Sequence, residues 1–224
     1  MIALDSVSIL TPGLFKRDPI LVNATTTFER GERVGVLAAP GSGKSTLARL
    51  LAGIELPDTG TIQCEGRVSW PIGFAGFLHP ALSVQDNLTT FARLVGLDPG
   101  YVTDFCAEFV GIGGLPRKMA PELTPTQRAI LAYACAVSIP GPAMWIADEV
   151  ITVGEPVHRK KCDDVLADRL KAGGLIFISR NVRQLRLYCD RFYVLINKRL
   201  LPCDDLDVGQ EALDLFKQQH NELM

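Results

Sequence analysis

Apolar and polar residues follow two patterns along the chain, and together they predict an α/β protein. Residues 2–10 and 20–28 partly alternate between apolar and polar, which is typical of strands in a half-exposed antiparallel sheet. Continuous apolar runs at 33–37, 144–147 and 175–178 are typical of strands buried on both faces. Helical patterns separate these runs, so we expect a parallel sheet covered by helices.

Two helix starts carry capping signals. Ser83 is followed three residues later by Asp86, and Thr124 by Gln127, so each pair can satisfy free amides in a first helical turn. Pro125 suits the first turn because its missing N–H is not needed there. The remaining patterns predict helices over residues 84–95, 101–110, 156–171 and 208–220, and strands over residues 61–64, 67–70 and 192–196.

One apolar run has the length of a membrane span but is interrupted. Residues 129–147 are almost wholly apolar, and about 20 such residues can cross a bilayer as a helix. Residues 140–142, Pro-Gly-Pro, lie inside the run, where proline breaks a helix. The run therefore predicts a buried helix to about Ser138, a turn and a buried strand. We expect a soluble chain whose membrane role, if any, depends on a partner.

Composition narrows the class of protein without identifying it. The chain has 224 residues, of which 47% are hydrophobic, and a formal net charge of −2. This length can bury a substantial core in one large domain. The nearly neutral charge gives no argument for binding to nucleic acid or to an anionic membrane surface. Six cysteines are scattered without a Cys-x-x-Cys pair, which disfavours a zinc site and fits reduced thiols in a cytosolic protein.

Residues 38–46, with the sequence Ala-Ala-Pro-Gly-Ser-Gly-Lys-Ser-Thr, resemble a phosphate-binding P-loop. They follow the apolar run 33–37 and precede a helical pattern at 46–52, which is the strand–loop–helix context that the motif requires. Ala38 stands where the motif usually has glycine, but the added methyl group is small enough for the loop to form. An ordinary glycine-rich turn is the alternative; lysine and serine in register with the strand and the helix favour the P-loop.

The chemistry of this loop follows from its residue types. Gly41 and Gly43 let the backbone turn so that successive N–H groups point at phosphate oxygens, and the positive end of the following helix adds to the attraction. Lys44 is expected to reach the β- and γ-phosphates of a nucleotide, and the Ser45 hydroxyl to bind Mg²⁺. The predicted nucleotide-binding residues are Ala39, Pro40, Gly41, Ser42, Gly43, Lys44, Ser45 and Thr46.

A second chemical site is expected at the end of the buried strand 144–147. Asp148 and Glu149 follow this strand, roughly 100 residues after the P-loop, as in a Walker B element. Asp148 would hold Mg²⁺ through its water shell, and Glu149 would orient or deprotonate the attacking water. Two acids also occur at ordinary strand ends, but the preceding P-loop favours the catalytic interpretation.

With both motifs in place, the chain resembles the ATP-binding cassette family. The resemblance implies one domain over residues 1–224, an α/β P-loop NTPase with a mixed sheet, an N-terminal antiparallel β subdomain and an inserted helical subdomain at about 80–138. It also implies a head-to-tail homodimer that encloses two ATP molecules with Mg²⁺, each P-loop facing the signature segment of the other copy. Residues 123–127, Leu-Thr-Pro-Thr-Gln, match that signature, so Thr124 and Gln127 are expected to contact nucleotide.

Within the family, the chain resembles the ATP-binding subunits of capsular polysaccharide exporters. That likeness implies a separate membrane permease that handles the polysaccharide, attachment to the cytoplasmic face of the inner membrane through this permease, and no nucleic-acid partner. Related O-antigen exporters often add a C-terminal sugar-binding domain, for which this chain is too short. The segments that carry the likeness are residues 69–76, 86–87, 91–94, 148–155 and 189–190.

Several positions depart from the family pattern. Pro125 and Thr126 replace the two signature glycines, and proline removes a backbone donor where the γ-phosphate should approach. Arg180 stands in place of the switch histidine; arginine can neutralise phosphate charge but cannot shuttle a proton at neutral pH. His79 is the expected counterpart of the Q-loop glutamine. Arg180 and His79 therefore join Glu149 as candidate catalytic residues.

These departures leave the function open between two main alternatives. The chain is either a working ATPase subunit that drives polysaccharide export, or a nucleotide-binding subunit that hydrolyses ATP weakly and has a structural or regulatory role. A P-loop protein without a membrane partner, such as a translation or repair factor, is a third class; such proteins usually carry tandem cassettes or large insertions. Adenine recognition also stays open, because Phe15 could stack on the base or pack within its loop.

Overall fold

The computed structural model describes residues 1–11 and 17–221; Phe15 lies outside these residues. They form eight strands and seven α-helices, with two short 3-10 turns at Leu115–Arg117 and Ala120–Glu122. The strands are β1 (Ile2–Leu10), β2 (Pro19–Phe28), β3 (Arg33–Ala38), β4 (Thr59–Cys64), β5 (Met144–Asp148), β6 (Gly174–Ser179), β7 (Arg191–Ile196) and β8 (Arg199–Pro202). The helices are α1 (Lys44–Leu51), α2 (Val84–Leu94), α3 (Pro99–Val110), α4 (Pro125–Ser138), α5 (Pro156–Arg169), α6 (Val182–Tyr188) and α7 (Leu206–Asn221).

The N-terminal strands form a small antiparallel sheet, as their alternating pattern predicts. Its order is β2-β1-β4, and Ile2 in β1 is paired with Phe28 on one side and with Cys64 on the other. Ile2 and Phe28 are fully buried. One face of the sheet therefore packs on the core and the other remains accessible, which matches the expected half-exposed sheet.

The larger sheet carries the buried strands and has the order β5-β6-β3-β7-β8. The first four strands are parallel, and β8 returns antiparallel to β7. In register, Leu37 is paired with Ser179, and Asp148 with Ile178. Parallel strands end at one edge of a sheet, which is where ligands of such sheets bind. The P-loop and the two acids therefore lie at the same edge.

Alternate residues of the buried strands pack into two separate cores. In β6, Leu175 and Phe177 join a cluster with the helices α2 to α7, whereas Ile176 and Ile178 join a cluster with the small sheet and α1. Both faces of the larger sheet are thus covered. This explains why its strands are continuous apolar runs with no polar face.

The structure agrees with the expectation for the apolar run 129–147 but not with the strand expected over residues 67–70. The apolar run 129–147 forms the end of α4, a turn and β5, as expected, and none of the helices within the described residues combines the length and apolar character needed to cross a bilayer. Residues 67–70, by contrast, do not form a regular strand. Val68 and Ile72 make only isolated parallel bridges to β5, because Pro71 between them has no N–H to continue a ladder.

Candidate nucleotide site

The P-loop connects the end of β3 to the start of α1 and depends on its glycines. Gly41 and Gly43 have φ angles of 76° and 95°, a left-handed conformation that side chains disfavour. A Cβ atom on Gly43 would also lie 2.1 Å from Ile20 Cγ2, so only glycine fits between β2 and the loop. No side chain caps the start of α1 at Gly43. Its first amides are therefore available to an anion.

Lys44 is held at the centre of the loop by two oxygen atoms. Its side chain is only 10% exposed, and its Nζ atom lies 3.0 Å from Glu149 Oε1. The same Nζ donates a hydrogen bond of 2.8 Å to the carbonyl oxygen of Ala39. Ser42 Oγ also donates to this carbonyl, at 2.8 Å. The loop is thus closed on itself by its own side chains while the ammonium group faces the acid.

Glu149 is fixed in position by its backbone and by both carboxylate oxygens. Its φ angle is 60°, and its N–H donates to the carbonyl oxygen of Ile178 at 2.8 Å. Oε2 accepts from Ser179 Oγ at 3.1 Å and from the Arg180 backbone N–H at 3.3 Å. Oε1 faces Lys44. The structure therefore brings Glu149 together with Lys44 and with the segment where a switch histidine was expected.

Asp148 has the environment of a metal-binding carboxylate. Its Oδ1 atom is buried and has no hydrogen-bond partner among the residues that the structure describes. Burial raises the pKa of this carboxyl above its usual value, while the neighbouring Ser45 hydroxyl and the Lys44 ammonium act in the opposite direction. A buried carboxylate oxygen without a partner is unfavourable unless a ligand satisfies it. The residues fit Mg²⁺ held by Asp148 and Ser45.

Protein groups alone do not complete such a metal site. No cluster of three or more histidine, cysteine or acidic side chains that could hold an ion occurs in residues 1–11 and 17–221. Mg²⁺ commonly takes one or two protein ligands and fills its remaining positions with phosphate oxygens and water. The site therefore suits a metal that arrives together with a nucleotide.

Arg180 lies beside Glu149, where its sequence position predicts it. A cleft of about 430 Å³ borders both residues and the P-loop. The sequence analysis did not identify Ser179, Asn181 and Gln184, which also line this cleft. The one signal for them is their position at and after the end of β6. The described lining residues are Pro40, Glu149, Ser179, Arg180, Asn181 and Gln184.

His79 does not line the clefts that border the P-loop, and its expected role as the Q-loop residue stays a prediction. Its ring is exposed, and Nδ1 accepts from the Ala81 N–H at 3.2 Å. Its backbone N–H donates to Asn87 Oδ1 at 2.7 Å. Gly73 is the residue beside the acids: a Cβ atom there would lie 2.8 Å from the carbonyl oxygen of Asp148.

The signature-like segment forms a tight helix cap. Thr124 Oγ1 accepts from the Gln127 N–H at 3.2 Å, and Gln127 Oε1 accepts from the Thr124 N–H at 2.9 Å. Pro125 has no N–H, so the Thr126 amide is the one donor of this turn without a hydrogen-bond partner within the described residues. The predicted capping box is therefore present, but it uses the groups of Thr124 and Gln127 that were expected to contact nucleotide.

The structure does not bring Thr124 and Gln127 to the P-loop of the same chain. They line a separate cleft of about 1150 Å³. This cleft shares no described lining residue with the clefts that border the P-loop. Its other walls include the segment after Glu149, from Val150 to Arg159, and the end of α3. Thr124 therefore lies outside the clefts that border the P-loop of its own chain.

Comparison with known proteins agrees with this geometry. A family model described as ABC transporter matches residues 21–152. The chain is 35% identical to the ATP-binding protein BexA of Haemophilus influenzae, over 84% of this chain and 86% of BexA. It is 32% identical to the capsule polysaccharide export ATP-binding protein CtrD of Neisseria meningitidis serogroup B, over 86% of this chain and 88% of CtrD.

Solved structures extend the likeness to the whole fold. The dimeric, post-hydrolysis structure of the ATP-binding cassette MJ0796 bound to ADP and Pi superposes with a TM-score of 0.71. It covers 89% of this chain and 96% of that chain at 16% identity, so the likeness concerns the fold alone. The predicted α/β architecture, with an antiparallel β subdomain beside a mixed sheet, is confirmed.

Proposed function

The chain belongs to the ATP-binding cassette (ABC) transporter family, and from this membership we propose that it is the ATP-binding subunit of an exporter of capsular or related surface polysaccharide. The names of the relatives BexA and CtrD support the substrate class. In this proposal the chain pairs with a second copy and acts on a separate membrane permease. It is attached through that permease to the cytoplasmic face of the inner membrane, and it binds no nucleic acid.

The observation that carries the proposal is the meeting of Lys44 and Glu149 at the edge of the sheet, 3.0 Å apart. Lys44 and the free amides of α1 neutralise the phosphates of ATP. Glu149, held by Ser179 and by the Arg180 N–H, orients the attacking water and accepts its proton. Ser45 and Asp148 would hold Mg²⁺, which would supply positive charge to the phosphate oxygens.

The position of the signature-like segment supports the pairing of two copies. Thr124 and the Thr126 N–H line a cleft separate from the P-loop, at the positive end of α4. In a head-to-tail pair, this helix end of one copy faces the phosphates bound by the other. The Arg180 side chain borders the cleft beside Glu149 and adds a fixed positive charge there.

A second candidate function is a cassette that closes on ATP but hydrolyses it slowly. The cap of α4 favours it, because Pro125 offers no N–H and the Gln127 N–H is taken by Thr124. Losing one preorganised donor to a transition-state oxyanion costs about a hundredfold in rate or more. Under this alternative the chain still exports polysaccharide, with ATP binding as the step that moves the permease.

Gene replacement in the cell that makes the protein tests the proposal and separates the two candidates. Removal of the chain should abolish surface polysaccharide and leave polymer inside the cell. The wild-type chain should restore export, and Lys44→Ala should not. Glu149→Gln decides between the candidates, because it fails to restore export if hydrolysis is needed and restores it if binding alone suffices. Unchanged surface polysaccharide after removal would contradict the proposal.

A further inference from the structure

A second cavity adjoins the P-loop, and Glu149 is not among its described lining residues. Its volume is about 420 Å³, within the range of about 300–1,000 Å³ that is common for small-molecule sites. The P-loop residues Ala39, Gly41 and Ser42 line one part of it. Side chains from the C-terminal helix α7, Leu213 and Phe216, line another part. The cavity is therefore continuous with the loop that holds the phosphates.

The occupant that this continuity favours is the nucleoside part of the bound nucleotide. Once the phosphates lie in the P-loop, the ribose and base must extend into the space next to it. The cavity combines apolar residues, such as Ile20 and Ile196, with the Asn197 amide at the β7–β8 turn. A flat base needs apolar or aromatic surface against its faces and a few polar groups at its edge.

Helix α7 is fixed against the strand that leads to the P-loop. At Gly209 a Cβ atom would lie 2.8 Å from Cys203 Sγ and 3.4 Å from Leu37 Cδ2, so the helix passes close to the end of β3. Arg186 on α6 pairs with Asp207 at 2.6 Å at the start of the helix. The helix is thus held in place on the side of the cavity.

Spacing on α7 sets which residues share the face toward the cavity. Leu213 is 4% exposed, and Phe216 follows one helical turn later on the same face. Both line the cavity. Leu215, adjacent in sequence to Phe216, is 59% exposed and is not among the lining residues. The chain therefore offers an apolar control position beside the aromatic one.

We propose that Phe216, on the C-terminal helix, provides the aromatic platform for the base of the nucleotide bound at the P-loop. The proposal rests on the proposed function in one respect, namely that the P-loop binds ATP. It assigns base binding to a residue far beyond the P-loop in sequence, whereas Phe15, the candidate from the sequence, precedes the loop. Stacking is tolerant of base identity because every base has a π face. Phe216 thus sets nucleotide affinity more than the choice of base.

Calorimetric titration of the full-length chain in Mg²⁺ tests this assignment. Two probes are compared, ATP and inorganic tripolyphosphate, which has the phosphates without the nucleoside. Phe216→Ala should raise the Kd for ATP about tenfold, as expected for one lost base–aromatic contact, and leave the Kd for tripolyphosphate unchanged. Phe216→Trp should retain ATP affinity, and Leu215→Ala should match the wild type for both probes.

Several results would overturn the proposal. Phe216→Ala that weakens both probes equally, or neither, would show that the ring does not contact the base. A selective loss of ATP affinity in Phe15→Ala, with Phe216→Ala unaffected, would assign the base to Phe15. If Phe216→Ala does not fold, Phe216→Leu preserves apolar volume without the ring and should give the same selective loss. A wild-type chain that binds neither probe would contradict the proposed function as well.

Discussion

Lys44 Nζ and Glu149 Oε1 lie 3.0 Å apart, so the cation expected to bind phosphate is paired with the acid expected to activate water. The Lys44 side chain is 10% exposed and that of Glu149 is 33% exposed. Because the arriving phosphates are themselves anions, they compete with Glu149 for the same ammonium group. Anion binding at Lys44 and the release of the Glu149 carboxylate are thus coupled through one contact.

The first prediction concerns this competition. Glu149→Gln removes the anion that competes for Lys44, so the Kd for ATP should fall. The same change removes the general base, so the turnover of ATP should drop by about 10²–10⁴-fold. Calorimetry and phosphate release measure the two effects. Asp168→Asn, which affects an exposed pair with Lys171, serves as the control and should change neither. Weaker ATP binding by Glu149→Gln would contradict the competition.

The second prediction concerns the cost of keeping Asp148 charged. Its pKa is raised above 3.8 in the folded chain, chiefly by burial, so the ionised group opposes folding. The cost is fully present above the raised pKa and vanishes as the pH falls below the unfolded value. Asp148→Asn should therefore raise the melting temperature of the nucleotide-free chain at pH 7, and the gain should shrink toward about pH 4. Thermal unfolding across pH measures it.

The Mg²⁺ dependence of ATP binding, measured on the same variant, links this stability change to the metal site. Asp148→Asn should lose the dependence of ATP binding on Mg²⁺ while it gains stability, a trade-off that is common at functional sites. A melting temperature below that of the wild type at pH 7 would mean that the carboxylate stabilises the empty fold. In that case the unpartnered Oδ1 would not be a site that awaits an ion.

The third prediction concerns the missing donor at the start of α4. Pro125→Gly restores an N–H at the helix end that, in the proposed head-to-tail pair, faces the phosphates bound by the other copy. In the complete transporter this should raise ATP turnover by about a hundredfold, the size of one transition-state donor, with little change in the Kd for ATP. Turnover unchanged by Pro125→Gly would show that the altered signature does not limit hydrolysis. Thr126→Gly, which adds no donor, provides the comparison.

The fourth prediction concerns the loop that was expected to carry the Q-loop residue. Asn87 is 1% exposed, accepts from the His79 N–H and donates to the carbonyl oxygens of His79 and Ser83. Asn87→Ala should lower the free energy of unfolding by about 1–3 kcal/mol, because backbone groups lose their partners. Denaturant unfolding measures this.

Two further variants distinguish the role of the Asn87 side chain from that of the His79 ring. Thr90→Ala, on an exposed part of the same helix, should stay within about 0.5 kcal/mol of the wild type. His79→Ala should leave ATP turnover unchanged, because its ring is exposed and its loop is held through the backbone. A large loss of turnover in His79→Ala would support the Q-loop assignment.

Sequence patterns predict the elements and the two main motifs, but not every contact between them. The strands ending at Asp148 and Ser179 are visible as apolar runs, and the helix cap at Thr124 is visible as a capping box. Their parallel pairing brings Ser179 to the Glu149 carboxylate, a contact that depends on register and is encoded by no local pattern. Likewise, nothing in the P-loop sequence indicates that Ile20 packs under Gly43.

The strand predicted over residues 67–70 is wrong for a physical reason of the same kind. Val68 and Trp70 alternate with polar residues as in a strand, yet Pro71 and the glycine after Ile72 leave only isolated bridges. The path of the loop that carries His79 cannot be read from the sequence either. Its actual position is set by the buried side chain of Asn87, a long-range anchor that a local pattern does not reveal.

The most direct test of the account is the rate of ATP hydrolysis by this chain assembled with its membrane permease in lipid vesicles. Lys44→Ala and Glu149→Gln, measured side by side, serve as controls that remove phosphate binding and water activation. We expect wild-type turnover at least about tenfold above both controls, given the 10²–10⁴-fold range of a general base. Wild-type turnover equal to that of Glu149→Gln would contradict it, and would leave a cassette that binds ATP without hydrolysing it.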